Sequence, residues 1–315
     1  MVELRKDYIL DKWVYIATER GKRPKEFKQK LEKEKKGVCF FCPGSENLTP
    51  PEIGRLGKEK WQLRWFPNKF PAVKMEGDPT VRTDNNFFTY ASGYGKHEVL
   101  VETPDHEKQL WDLPKERIKE VFQVYNERIE ALSKMDGINY VLIFKNHGKN
   151  AGTSLIHSHT QISAIGIVPE KIQGKIDAVK RYDRCPYCDI INIEKVSDRK
   201  CFENDSVVAF TPYASRFNFE VWVFPKRHIK SLADFNDKEM DDLADVMKKV
   251  IDRLKELNIS YNYYLQYAPK GDDLHLHIEI TPRLATWAGF EFASDAIINS
   301  VTPENAAKFY RGEEE

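Results

Sequence analysis

The chain has 315 residues, of which 41% are hydrophobic and 12% aromatic, enough to build a sizeable core and to exclude general disorder. Its 49 Lys and Arg balance 49 Asp and Glu, so it lacks the broad basic field that nonspecific nucleic-acid binding requires. No apolar run approaches the roughly 18 residues of a membrane span, and the opening MVELRKDYILDKW has no signal-peptide core, so a cytoplasmic location is expected.

In chain order, residues 22–36, KRPKEFKQKLEKEKK, are so rich in charge that a solvated helix or a mobile loop is expected. A first Cys-x-x-Cys pair, Cys39 and Cys42, follows. The segment HEVLVETPDHEKQLWDL, residues 97–113, predicts a strand, a Pro-containing turn and then His106. Pro114 opens a predicted helix over roughly 114–135, where Ile118, Val121, Phe122, Tyr125, Ile129 and Leu132 recur near the 3.6-residue period. A strand over 138–144 leads into a Gly-containing loop and the pair His157-Ser158-His159. Residues 167–184 are expected to be a linker.

The plan then repeats. Cys185 and Cys188 form the second Cys-x-x-Cys pair, and FEVWVFPKRHIKSLADF, residues 219–235, lies without a gap on residues 97–113, placing His228 on His106 and Phe219 on His97. Asn236 with Glu239 reads as an N-cap and its reciprocal acid, opening a helix over 237–257. A strand over 259–265, aligned on 138–144, precedes His275-Leu276-His277. The last dozen residues, ending GEEE, are expected to fray. The order Cys-x-x-Cys, His, His-x-His thus occurs twice, dividing the chain into residues 1–170 and 171–315.

Two Cys-x-x-Cys pairs with histidines downstream favour metal over a disulfide framework or a thioredoxin-like redox motif. Tetrahedral zinc takes four Cys or His ligands. Cys39, Cys42, His106 and His157 supply one such set; Cys185, Cys188 and His228 supply three ligands of another, completed by His275 or His277. On a strand, both rings of an i, i+2 pair face the same way. A metal-bound His157 leaves its carbonyl to orient His159 through the far ring nitrogen, so that the other nitrogen of His159 is a candidate nucleophile. Gln161 shares that face and offers N–H donors to a phosphoryl oxygen, whereas Glu279 at the matching place would repel one. Only the first copy therefore reads as catalytic. Asn146, Gly152, Thr153 and Ser154, in NHGKNAGTS, suit a phosphate cradle, and Arg20 and Arg23 are candidate phosphate clamps. His97 reads as structural, and His147 is given no role.

These motifs, together with Arg20-Gly-Lys-Arg-Pro24, Pro67-Asn-Lys-Phe-Pro-Ala72, Thr103-Pro-Asp-His106, His157-Ser-His-Thr-Gln161 and Ala288-Gly-Phe-Glu291, resemble the galactose-1-phosphate uridylyltransferase family of the histidine-triad superfamily. The resemblance implies an α+β fold with two histidine-triad-like repeats and antiparallel sheets, an N-terminal catalytic one and a C-terminal one. It implies a homodimer, and transfer of a nucleoside monophosphate between sugar phosphates through a nucleotidyl-histidine. By position it makes His159 the nucleophile, Gln161 the holder of the transferred phosphoryl group, and Cys39, Cys42, His106 and His157 zinc ligands. Arg20 and Arg23 would contact phosphates across the dimer interface, Asn68 the nucleotide, and Phe290 and Glu291 the hexose. Ser158 replaces a proline of the best-known members, Lys69 stands where an Asp often contacts the nucleoside, Cys185 and Cys188 replace a poorer ligand set, and the C-terminal segment resembles relatives that act on ADP-glucose.

The expected activity is a ping-pong UDP-glucose–hexose-1-phosphate uridylyltransferase with two structural zinc ions, acting in galactose metabolism without nucleic acid or membrane. The alternatives are an ADP-glucose phosphorylase on the same scaffold, a histidine-triad-type hydrolase and, from another class, a zinc-stabilised nucleic-acid-binding protein.

Overall fold

The computed structural model describes residues 2–20 and 37–313. Arg23 and the charge-rich run at 22–36 lie outside the described residues. The chain opens with strands β1 (Glu3–Lys6) and β2 (Trp13–Ile16). Then come β3 (Gly54–Leu56), β4 (Leu63–Pro67), the hairpin of β5 (Arg82–Asp84) and β6 (Phe88–Tyr90), β7 (Gly95–Val101), helix α1 (Lys115–Leu132), β8 (Tyr140–His147) and β9 (His159–Ile165). Helices α2 (Glu170–Val179) and α3 (Pro186–Glu194) lead to β10 (Lys200–Glu203), β11 (Val207–Phe210), β12 (Val221–Pro225), α4 (Asp237–Glu256), β13 (Tyr261–Gln266) and β14 (His277–Pro282). The chain closes with α5 (Gly289–Ser294), β15 (Ile297–Asn299) and α6 (Pro303–Arg311).

The fold is α+β, with antiparallel pairing throughout its main sheet. Ten strands form that sheet in the order β10-β11-β12-β14-β13-β8-β9-β7-β4-β3. Read from either edge inward, the order is the same pattern of two repeats, and β8 pairs with β13 at the centre to make one continuous sheet. Helices α1 and α4 are amphipathic and pack on one face and on each other. Asn236 caps α4 reciprocally, its side chain accepting from the Glu239 N–H while Glu239 accepts from the Asn236 N–H, both at 2.9 Å. Leu243, Met247, Val250, Ile251 and Leu254 of α4 are fully buried, each contributing roughly 1.5–3 kcal/mol by leaving water.

Three expectations change. Residues 167–184 are not a linker: they contain α2, whose Ile172, Lys175, Ile176 and Val179 are buried. The C-terminus is not frayed as a unit, because Phe309 and Tyr310 of α6 are buried, with Tyr310 donating to the Phe219 carbonyl. The strand alignment of the repeats slips by one residue. Val99 lies opposite Gln161, but Trp222 lies opposite Glu279, so the strand counterpart of His97 is Glu220, not Phe219. Similarly Phe144 faces Gln161 as Tyr264 faces Glu279, which moves the match for Phe144 from Leu265 to Tyr264. A one-residue slip reverses which side chains face the same way, so it changes which residues share a site.

Candidate active site and metal centres

Along β9 the side chains alternate. Thr160 points to α1, where its hydroxyl accepts a 2.7 Å hydrogen bond from Tyr125, while His159 and Gln161 line a cavity on the other face. That cavity has a volume of about 270 Å³, and Phe40, Thr49, Asn68, Lys69, His97 and Ser154 also line it.

Beside it, Cys39, Cys42, His106 and His157 bring their ligand atoms within 4.8 Å of one another. The Cys42 Sγ to His106 Nδ1 distance is 3.3 Å, and both sulfurs lie 3.6 Å from His157 Nδ1. Zinc–sulfur and zinc–nitrogen bonds of about 2.3 and 2.0 Å at a tetrahedral angle span roughly 3.6 Å, so the four residues fit such an ion. The far ring nitrogen of His157 donates to the Thr103 carbonyl at 2.7 Å, which sets the Nδ1 lone pair toward the sulfurs. The second set gathers Cys185, Cys188, His228 and His275, with Cys188 Sγ at 3.6 Å from both His228 Nδ1 and His275 Nδ1. His275 Nε2 donates to the Pro225 carbonyl at 2.9 Å, and His228 Nε2 lies 2.9 Å from an Asp273 carboxylate oxygen. His275 rather than His277 completes this set.

His159 is 8% exposed, and its Nδ1 donates to the His157 carbonyl at 2.8 Å, leaving Nε2 on the cavity side without a hydrogen-bond partner among the described residues. Burial, assisted by the nearby Lys145 charge, pushes the ring down to about 4, so it is neutral near pH 7 with a lone pair on Nε2. Phe41 packs edge-on against the ring, centroids 5.3 Å apart. Under the strand, the buried Lys145 ammonium donates to Glu102 at 2.6 Å, to the Ser158 hydroxyl at 3.1 Å and to the His159 carbonyl at 3.0 Å. Ser158 donates to the same Glu102 carboxylate at 2.5 Å, which gives a physical reason for serine between the two histidines.

The second copy keeps the ring orientation and closes the space. His277 Nδ1 donates to the His275 carbonyl at 2.8 Å, as in the first copy, but its Nε2 accepts from Lys175 of α2 at 2.8 Å. Lys175 also pairs with Glu279, which accepts further from Lys171 at 2.7 Å, from Arg216 at 2.8 Å and from Tyr264 at 2.8 Å. Burial alone would raise the Glu279 carboxyl; the charges of Lys171, Lys175 and Arg216 outweigh it and hold the group well below the usual carboxylate range. Thus α2 occupies the place that is open in the first copy.

Among the expected substrate contacts, Asn68 and Ser154 line the cavity with His159 and Gln161. Asn146, near the end of β8, and Gly152 and Thr153, in the loop that follows, stand outside the lining; Asn262 of β13 ties strand end and loop together by donating to the Asn146 Oδ1 and to the Ala151 carbonyl, both at 2.8 Å. Phe290 and Glu291 sit on α5 and are not among the lining residues; Phe290 is edge-on to Tyr15, and Glu291 accepts from the Ala288 N–H at the start of its own helix. Arg20 ends a 3-10 turn, Thr18–Arg20. His97, read from the sequence as structural, lies in the cavity lining, and nothing in the sequence signalled Lys145 or the cations around Glu279. Strand alternation could have found His97, because it shares its face with Val99, opposite Gln161.

Residues 2–169 match the family model described as galactose-1-phosphate uridyl transferase, N-terminal domain. The chain belongs to this family. Residues 112–309 match a second model, a domain of unknown function. The chain is 33% identical to an ADP-glucose phosphorylase of Arabidopsis thaliana over 98% of its own length and 92% of that protein's. It is 31% identical to a galactose-1-phosphate uridylyltransferase of Thermotoga maritima, covering 99% of this chain and 98% of the relative. The crystal structure of an Arabidopsis thaliana ADP-glucose phosphorylase with bound ADP-glucose superposes with a TM-score of 0.84 at 30% identity, covering 99% of each chain. Like the family's named members, the chain is a transferase enzyme. Among the described residues no helix is long and apolar enough to cross a membrane.

Proposed function

We propose that the chain is a hexose-1-phosphate uridylyltransferase acting by double displacement through His159. The observation that carries this is the His159 ring itself, pinned at Nδ1, neutral, and presenting Nε2 to a cavity shared with Gln161. In the first half-reaction the Nε2 lone pair attacks the α-phosphorus of UDP-glucose. The bond from that phosphorus to the bridging oxygen breaks, and glucose-1-phosphate leaves with its electron pair. In the second, a phosphate oxygen of galactose-1-phosphate attacks the same phosphorus, the phosphorus–nitrogen bond breaks, and UDP-galactose leaves. Splitting one exchange into two in-line displacements lowers the barrier to each.

Gln161 N–H groups stabilise charge on the transferred phosphoryl oxygens, and Asn68 lies against the nucleoside. Asn146 at the end of β8 and Gly152, Thr153 and Ser154 of the following loop cradle phosphates; Arg20 and Arg23 clamp them, and Phe290 and Glu291 meet the hexose, in a homodimer whose partner completes each site. Exposed aromatics of the β5–β6 hairpin, Phe87 at 84% and Phe88 at 67%, support an association surface. Both Cys2His2 sets hold zinc structurally, since each donates four ligands and leaves no open position. Held by Cys39, Cys42, His106 and His157, such an ion would tie the Cys39–Cys42 turn to the segment leading into the strand that bears His159. The N-terminal part, residues 1–170, is the catalytic domain, and residues 171–315 form its degenerate counterpart. The enzyme works in the cytoplasm, without nucleic acid.

The similarity to the Arabidopsis thaliana phosphorylase supports a second reading, in which ADP-glucose is the donor and inorganic phosphate the acceptor. Isotope exchange separates the two. Labelled glucose-1-phosphate is expected to enter UDP-glucose in the absence of any second acceptor, and to stop doing so in His159→Ala. Exchange confined to ADP-glucose moves the activity to the second reading; exchange with neither, or unimpaired exchange in His159→Ala, contradicts both.

A further inference from the structure

We propose that His97 is a positioning residue that fixes the polarity of the Gln161 amide for phosphoryl transfer, an inference that rests on the nucleotidyl-transfer reading above. The backbone N–H of Ala72 donates to His97 Nδ1 at 3.1 Å. An N–H cannot accept, so Nδ1 carries no proton and the neutral ring carries it on Nε2. Burial lowers the ring below its ordinary range, which favours that neutral form. His97 Nε2 lies 3.0 Å from Gln161 Oε1 and therefore donates to it. With its oxygen engaged, the Gln161 amide turns its N–H groups to the cavity.

That orientation matters because the two ends of an amide are nearly the same shape and opposite in polarity. Flipped, Gln161 would aim oxygen lone pairs at an anionic phosphoryl group. The strand carrying His97 also holds Asn68, whose backbone N–H donates to the His97 carbonyl at 2.7 Å and whose Oδ1 accepts from the Phe70 N–H at 2.9 Å. The Asn68 Nδ2 also lies near His97 Nε2, but at 3.4 Å against 3.0 Å for Gln161 Oε1; Nε2, protonated because Nδ1 accepts from Ala72, gives its proton to the Gln161 oxygen, the acceptor of the two.

The repeat provides an independent observation. The counterpart of His97 is Glu220, and the counterpart of Gln161 is Glu279. Between them stands Arg216, which donates to Glu220 at 3.1 Å and to Glu279 at 2.8 Å. In both halves this strand position determines what the neighbouring side chain can present. A neutral donor sits behind a glutamine that faces an open cavity, and a carboxylate anchors a cation behind a glutamate that faces none.

The test combines ring spectroscopy with single-turnover kinetics on the full-length protein. Long-range proton–nitrogen spectra of the free enzyme should show His97 in the Nε2–H tautomer. With UDP-glucose or ADP-glucose as probe, whichever donor the wild type uses, His97→Phe should form the nucleotidyl-protein adduct about 10- to 100-fold more slowly, with little change in half-saturating concentration. His97→Gln, whose amide can donate to Gln161, should recover most of the rate, which a general loss of folding would not allow. The double variant His97→Phe/Gln161→Ala should be no slower than Gln161→Ala alone, because the two residues act as one unit. An Nδ1–H tautomer, a wild-type rate in His97→Phe, or multiplicative losses in the double variant would overturn the inference. No adduct from wild type with either probe would overturn the transfer reading and this role with it; the tautomer result tells that failure from a failure of the hydrogen bond.

Discussion

His159 is held at one ring nitrogen and left open at the other, and the rest of the site follows from that asymmetry. The His157 carbonyl accepts a 2.8 Å hydrogen bond from Nδ1–H, so the free lone pair is on Nε2, where the proposed attack needs no proton transfer beforehand. In the proposed transfer Gln161 contributes N–H donors where charge develops. Gln161→Ala should slow adduct formation by roughly 100- to 1,000-fold, read in a single-turnover experiment, with the folded state unchanged. Behind the strand, Lys145 and Glu102 form a pair that is almost wholly buried. Removing one buried partner leaves the other uncompensated. Lys145→Met should therefore lower stability by about 3–5 kcal/mol in urea unfolding; a loss below about 1 kcal/mol would show that Ser158 and Thr160 satisfy Glu102 alone. At this scale the sequence was informative about which cysteines and histidines gather and which histidine faces the cavity, because Cys-x-x-Cys and His-x-His spacing names the side chains directly. It was silent about Lys145 and Glu102, whose partnership joins strands far apart in the chain.

At the scale of elements, α2 decides why two similar strands differ. It lays Lys171 and Lys175 over His277 and Glu279, filling in the second half what stays open in the first. A carboxylate repelling phosphate was the expectation for Glu279; the structure adds that three cations already hold it. Its folded-state pKa is depressed, so its contribution is present above the unfolded carboxylate value of about 4.3 and lost as pH falls through the folded value. Glu279→Gln should accordingly be destabilised near neutral pH and show a shallower loss of stability below about pH 4 than wild type, measured by urea midpoints across the acid range. An unchanged acid slope would count against the pairing. The sequence shows helices α1 and α4 through their periodicity and the Asn236–Glu239 cap. It hid α2, because a helix of 10 residues with one buried lysine looks like a polar connection until its glutamate partner is known. Register was hidden too: the gapless match between copies is correct at His106 and His228 but is one residue off inside the strands, where pairing rather than sequence spacing settles the alignment.

For the whole molecule, the order of ten strands is two copies of one pattern joined at β8 and β13, and each copy carries its own Cys2His2 set. Metal analysis should find two zinc ions per chain. Cys188→Ser should lower that toward one and leave the first half-reaction working, whereas Cys42→Ser should lower it and stop the half-reaction, since the set it breaks includes His157. Equal kinetic effects from both variants would contradict the division of labour between the halves. Light scattering should give twice the chain mass, and charged substitutions at Phe87 and Phe88 should shift it toward one; a monomeric wild type would refute the shared-site arrangement.

The most direct test of the central claim is intact-mass spectrometry under alkaline conditions, which preserve a phosphorus–nitrogen bond. The metal-replete enzyme is incubated separately with UDP-glucose and ADP-glucose, beside His159→Ala. A single uridylyl adduct on the wild type alone is the predicted result, and an adenylyl adduct alone would keep the double displacement while changing the donor. No adduct from either donor, or an adduct that persists in His159→Ala, would contradict the account.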